Sequence, residues 1–79
     1  MSRYEATFEV DSRADAEAVR LLVERAYDAL REEIRDVYGE DAPPVGTLEA
    51  FEAIRDATRR SAPGTLRVRY DQRDGGFER

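Results

Sequence analysis

All thirteen basic residues of this chain are arginine, and six of them, Arg55, Arg59, Arg60, Arg67, Arg69 and Arg73, gather near its C-terminal end. A guanidinium is a planar fork of donors that fits phosphate or carboxylate bidentately. A cluster of such forks can hold a polyanion, or it can pair with carboxylates of its own chain. The charge distribution allows both. Residues 1–54 hold six Arg and fourteen Asp/Glu, net −8, and residues 55–79 hold seven Arg and four Asp/Glu, net +3, which together give the −5 of the whole chain. Arginine without lysine runs the full length, so it reads first as a bias of genome or of a salt-rich environment.

Other reactive chemistry is sparse. There is no histidine, the commonest general base and metal ligand, and no cysteine for thiol chemistry, disulfides or thiolate metal sites. Glu32, Glu33, Glu40 and Asp41 are close in sequence, but general acid–base work needs a cleft, and the spacing puts these carboxylates on a helix surface and in a connector. Gly75-Gly76 lacks the strand-to-helix context of a phosphate loop. Catalysis is not expected, and neither is a cofactor or a metal.

The elements that carry the arginines are legible from periodicity. Tyr4, Ala6, Phe8 and Val10 alternate with Arg3, Glu5, Thr7 and Glu9, the pattern of a half-buried strand. Asp11 or Ser12 follows as an N-cap, and Ser12 with Asp15 resembles a capping box. From Ala14 to Tyr38, Val19, Leu22, Val23, Ala26, Leu30, Ile34 and Val37 recur at helical spacing, with Tyr27 and Tyr38 on the shoulder of the stripe. Arg20–Glu24, Asp28–Arg31 and Glu32–Arg35 stand at salt-bridge spacing on the opposite face. Gly39 ends this helix, and Pro43-Pro44 separates it from a second, expected over Leu48–Ala62 with Thr47 as its N-cap. Pro63-Gly64 stops the second helix. Leu66, Val68 and Tyr70 then alternate with Thr65, Arg67, Arg69 and Asp71 as a second strand.

The predicted fold is therefore α+β, a β-α-α-β two-layer sandwich over a single domain of residues 1–79. Two antiparallel terminal strands pack on a helical hairpin with a long first helix, and residues 72–79 are expected to form a tail. With the strands side by side, Glu5 and Glu9 would lie beside Arg67 and Arg69. About thirteen large apolar residues would fill the core: Phe8, Val10, Val19, Leu22, Val23, Leu30, Ile34, Val37, Leu48, Phe51, Ile54, Leu66 and Val68. A core of this size supplies only ~3–5 kcal/mol. A two-stranded sheet also leaves two open edges. The first helix, at roughly 37 Å, outruns a strand of roughly 23–27 Å, so Ile34–Tyr38 should overhang.

Those mismatches favour association. The expected function is that of a small acidic, non-enzymatic, cytoplasmic interaction or regulatory module, acting as a homodimer or accessory subunit, with Tyr27, Tyr38, Arg67 and Arg69 in its contact surface. The alternative is a nucleic-acid-binding protein that uses Arg55, Arg59, Arg60, Arg67, Arg69 and Arg73. Its strand-helix-helix order is similar to ribbon-helix-helix repressors in topology alone; Glu5 and Glu9 on the strand would repel phosphates, and the negative field of the chain opposes steering toward a polyanion. No membrane partner is expected, because no apolar run approaches the length of a span.

Overall fold

A computed structural model describes residues 1–39 and 46–77. The order is β1 (Ser2–Val10), α1 (Arg13–Tyr38), α2 (Thr47–Thr58) and β2 (Gly64–Gln72). The two strands form one antiparallel sheet, Ser2 opposite Gln72 and Val10 opposite Gly64, with no interruption in the register. The fold is α+β with the two terminal strands adjacent, as the periodicities predict. Residues 40–45, which include Pro43 and Pro44, lie outside the described residues, as do residues 78–79.

Local chemistry sets the element ends. The Ser12 hydroxyl accepts from the Asp15 amide at 3.1 Å, satisfying one free donor of the first turn of α1. Asp15 Oδ2 accepts in return from the Asp11 amide at 3.0 Å, one residue upstream of the usual capping-box donor. At the other end Gly39 takes φ +65°, and its amide donates to the Arg35 carbonyl at 2.8 Å.

The second helix departs from expectation at both ends. Its N-cap is Gly46, at φ +86°, a left-handed conformation open to glycine, and Thr47 is already helical. It stops at Thr58 and not near Ala62. The amides of Arg59 and Arg60 donate to carbonyls three residues back, and the Thr58 hydroxyl donates to the Arg55 carbonyl. This tightened turn ends the helix ahead of Ala62, which Pro63 biases toward extended backbone. Similarly, the expected tail begins later than residue 72, because Gln72 still pairs with Ser2, and Asp74 takes the N-terminal ammonium at 2.6 Å.

The core is much smaller than predicted. Val10, Val19, Val23 and Tyr27 are its buried apolar residues, with Ala16 and Leu66 packed against the valines. Leu30, Ile34, Leu48 and Leu66 are half-buried. Phe8, Leu22, Val37, Phe51, Ile54 and Val68, all expected inside, are exposed. The reason is geometric: the apolar cluster joining helices to sheet gathers at the Val10–Gly64 end, and toward Tyr4 and Tyr70 the sheet's apolar face lies open. Val37 and Tyr38 are exposed at the far end of α1, as the length mismatch implies.

The two helices are joined by a seam with strong polar character. Arg59 Nε donates to Glu24 Oε2 at 3.0 Å, and Arg20 stands 3.6 Å from the same carboxylate. The Arg55 guanidinium covers the Tyr27 ring at 4.5 Å from its centroid, with Arg31 at 5.8 Å. Of the helix pairs expected from spacing, Arg20–Glu24 is present, supplemented by Glu17–Arg20 at 2.7 Å; Asp28–Arg31 and Glu32–Arg35 do not form.

The hydrogen bond from Arg59, with Arg20 and Arg55 nearby, holds the Glu24 carboxyl below the usual carboxylate range against the opposing effect of desolvation. A carboxyl whose pKa is depressed by folding stabilises the fold above its unfolded-state pKa. That contribution disappears as pH falls through the lower folded-state value. Glu24→Gln should therefore lower the urea midpoint at neutral pH and flatten its decline on acidification. Tyr27→Ala should cost about 3 kcal/mol, most of what a core in a chain this small supplies, whereas Tyr27→Phe keeps the ring under Arg55 and should cost under ~1 kcal/mol. Circular dichroism during urea titration reads both.

Candidate interaction surface

The register decides where the terminal arginines go. On the polar face of the sheet, Arg3, Glu5, Thr7 and Glu9 of β1 stand opposite Asp71, Arg69, Arg67 and Thr65 of β2. Arg67 Nε lies 3.2 Å from Glu5 Oε2, on the diagonal. Arg69 Nε donates to Asp71 Oδ2 at 3.0 Å along its own strand, and Arg3 reaches the other oxygen of that carboxylate at 3.0 Å. The Thr65 hydroxyl donates to Glu9 at 2.9 Å. The face is a lattice of acid beside base, as expected for Glu5 with Arg67. Glu9 differs, being matched by a threonine.

The helical arginines are engaged as well. Arg55 contacts Glu52 at 3.4 Å and Asp56 at 3.0 Å, and its side chain is only 17% exposed. Arg59 bridges to Glu24 and Asp56. Among the described residues, only Arg60 and Arg73 of the six candidates have no carboxylate within 4.0 Å. A polyanion would have to displace existing partners from the other four.

Tyr27, read as a surface tyrosine, is 7% exposed and lies beneath Arg55, which removes it from any open contact surface. The sequence held a signal for this. Tyr27 follows Val23 by four residues and precedes Ile34 by seven, so it continues the buried side of the stripe. Tyr38 is exposed at the overhanging end of α1.

The surface that sequence reasoning missed is the other face of the sheet. Tyr4 faces Tyr70, Ala6 faces Val68 and Phe8 faces Leu66 across the strands. Tyr4 is 59% exposed, Tyr70 61%, Val68 60% and Phe8 41%. The apolar surface continues at the hinge end into an open groove of about 250 Å³, where Val10, Val19 and Leu66 meet Ile54 and Ala57 of α2. Phe51 and Ile54 add exposed side chains from α2. The whole chain exposes 6772 Å². A compact monomer of 9.0 kDa would expose roughly 4,900 Å². The excess, about 1,900 Å², exceeds the ~800 Å² that each partner contributes to an ordinary protein interface.

No group of three or more carboxylates is gathered as a metal site among the described residues. No helix there is long and apolar enough to cross a membrane. No protein-family model matches the chain, and no curated protein or solved structure matches it either.

Removing Arg67 should change little, because an exposed pair of this kind contributes ~0.5 kcal/mol or less. Arg67→Ala should unfold within that margin of the parent in urea. Gel-shift assays at low salt should show no retardation of DNA or RNA at micromolar protein, for the parent or for Arg67→Glu/Arg69→Glu; arginine-dependent retardation of either nucleic acid would contradict this.

Proposed function

We propose that this chain is a small acidic, cytoplasmic, non-enzymatic interaction module that acts in association, as a homodimer or as the accessory subunit of a larger partner. The observation that supports this most strongly is the uncovered apolar side of the sheet. Tyr4, Phe8, Val68 and Tyr70 form one exposed strip on a regular antiparallel pair, and monomeric proteins seldom leave contiguous apolar patches of this kind in water. Tyrosines supply large contact area at small entropic cost, which makes the Tyr4–Tyr70 pair the natural centre of such a contact.

The reading differs from the sequence-based one in which residues carry the contact. Tyr27 gives way to Tyr4 and Tyr70. Arg67 and Arg69 belong to the polar side, where charges are matched within the chain, so they frame the contact and do not form its centre. Tyr38 and Val37, at the free end of α1, extend the apolar surface. The absence of histidine and cysteine from the sequence removes the commonest catalytic groups and supports the non-enzymatic reading.

The test compares the parent with Tyr4→Ser/Tyr70→Ser. Both side chains are mostly exposed, so the helical signal in circular dichroism should be retained. Light scattering after size exclusion reads self-association, and affinity capture with cross-linking from the protein's own cell extract reads a foreign partner. The parent should associate in at least one assay and the double variant in neither. A parent that stays single and retains nothing beyond what the variant retains would end this reading.

A further inference from the structure

We infer that the outer edge of β1 pairs with β1 of a second copy of this chain, antiparallel about Ala6, so that two chains share one four-stranded sheet in the order β2-β1-β1-β2. This rests on the association reading above in its homodimer form, and it moves the contact between copies from the tyrosine strip to the β1 edge, leaving the strip open to a further partner.

The edge is open and lacks most of the usual protection. The two-stranded sheet gives β1 a single neighbour, and Ser2–Glu9 are all exposed. Edge strands ordinarily avoid self-pairing through proline, bulges, shortness, edge charges or charges that point inward. β1 has only the edge charges Arg3, Glu5 and Glu9, all on its polar face. It is nine residues long, contains neither proline nor glycine, keeps an uninterrupted register, and carries only Tyr4, Ala6, Phe8 and Val10 on its apolar face.

Its sequence is complementary to itself over the full strand in one register; an axis at Tyr4 also opposes Arg3 and Glu5 but pairs only residues 1–7. A two-fold axis through Ala6 sets Ala6 against Ala6 and Tyr4 against Phe8. On the polar face it sets Arg3 against Glu9 and Glu5 against Thr7, and Ser2 meets Val10 at the ends. Every residue of the strand is paired, two pairs of opposite charge form, and no like charges stand directly opposite, with Glu5 and Glu9 of the second copy on the diagonals of Glu5. Neighbouring registers are worse. An axis at Glu5 puts two glutamates face to face, and an axis at Thr7 puts Glu5 against Glu9 twice. The β2 edge is guarded: an axis at Val68 sets Arg67 against Arg69 twice, and one at Leu66 carries Arg69 onto Pro63, which cannot donate to a ladder.

The chain is extended. Its radius of gyration is 15.1 Å, against about 12 Å for a compact chain of this length. Edge pairing extends the strip of Tyr4, Phe8, Val68 and Tyr70 across four strands and leaves the charge lattice on the opposite side.

Because the chain has no cysteine, single cysteines can locate the contact. Residues at the axis of an antiparallel pair lie within disulfide reach. The parent is weighed by light scattering at about 100 µM in dilute and in molar salt, since screening relieves the −5 carried by each chain. Ala6→Cys and Val68→Cys, neighbours across the same register, are then oxidised under mild conditions. The expected mass is about 18 kDa, with rapid covalent dimer from Ala6→Cys and little from Val68→Cys. If either variant loses its circular dichroism signal, spin labels at Thr7→Cys and Arg67→Cys take its place, and the distance between chains should be the shorter at Thr7. A mass of about 9 kDa in both salts overturns the inference, while capture of a foreign partner through the tyrosine strip would leave the association reading standing. A dimer that crosslinks through Val68→Cys, or through neither cysteine, overturns the β1 edge and register but keeps self-association.

Discussion

Ser2–Val10 and Gly64–Gln72 pair residue for residue without a bulge, and most of the structure follows from that ladder. It joins the two ends of the chain, so it closes the longest loop available and constrains everything between. It sorts side chains by face, with Arg3, Glu5, Glu9, Arg67, Arg69 and Asp71 on one side and Tyr4, Phe8, Leu66, Val68 and Tyr70 on the other. A slip of one residue would exchange the two sets. The acid–base lattice and the apolar strip are therefore two consequences of one register.

The helical hairpin is attached to this ladder at one end. Only Asp11 and Ser12 separate β1 from α1, and Arg59–Pro63 link α2 to β2, so both helices meet the sheet near Val10 and Gly64. There Val10, Val19, Val23, Ala16 and Leu66 make the one close-packed cluster that includes the sheet. Away from it the helices hold each other through Glu24–Arg59 and through the buried Tyr27 ring beneath Arg55. The chain can thus keep its shape while leaving much of its apolar surface unused. The body is flat, 47 × 32 × 16 Å.

The arginines illustrate how charge is used here. Arg67 and Arg69 are answered by Glu5 and Asp71, and Arg55 and Arg59 by a ring face and by carboxylates of two helices. Part of the net +3 of residues 55–79 is answered from residues 1–54, where Glu5, Glu24 and Glu52 meet Arg67, Arg59 and Arg55, so the charge asymmetry along the sequence is reduced in space.

The sequence by itself determined the four elements, their order, an N-cap at Asp11 or Ser12, the cap at Gly39, and the gathering of Glu5, Glu9, Arg67 and Arg69 on one face of the sheet. Each depends on residues close in sequence or on period-two alternation, and such patterns survive any arrangement of the helices. It could not determine how much of the apolar stripe and strand faces would be covered. Phe8, Leu22, Phe51, Ile54 and Val68 have the spacing of core residues, yet they are exposed, because burial depends on the angle at which the hairpin leaves the sheet. That angle is set by long-range contacts at Val10, Tyr27 and Arg59. Tertiary structure alone decided that Tyr4 and Tyr70 stay out, since periodicity reports which residues share a face and not what that face meets.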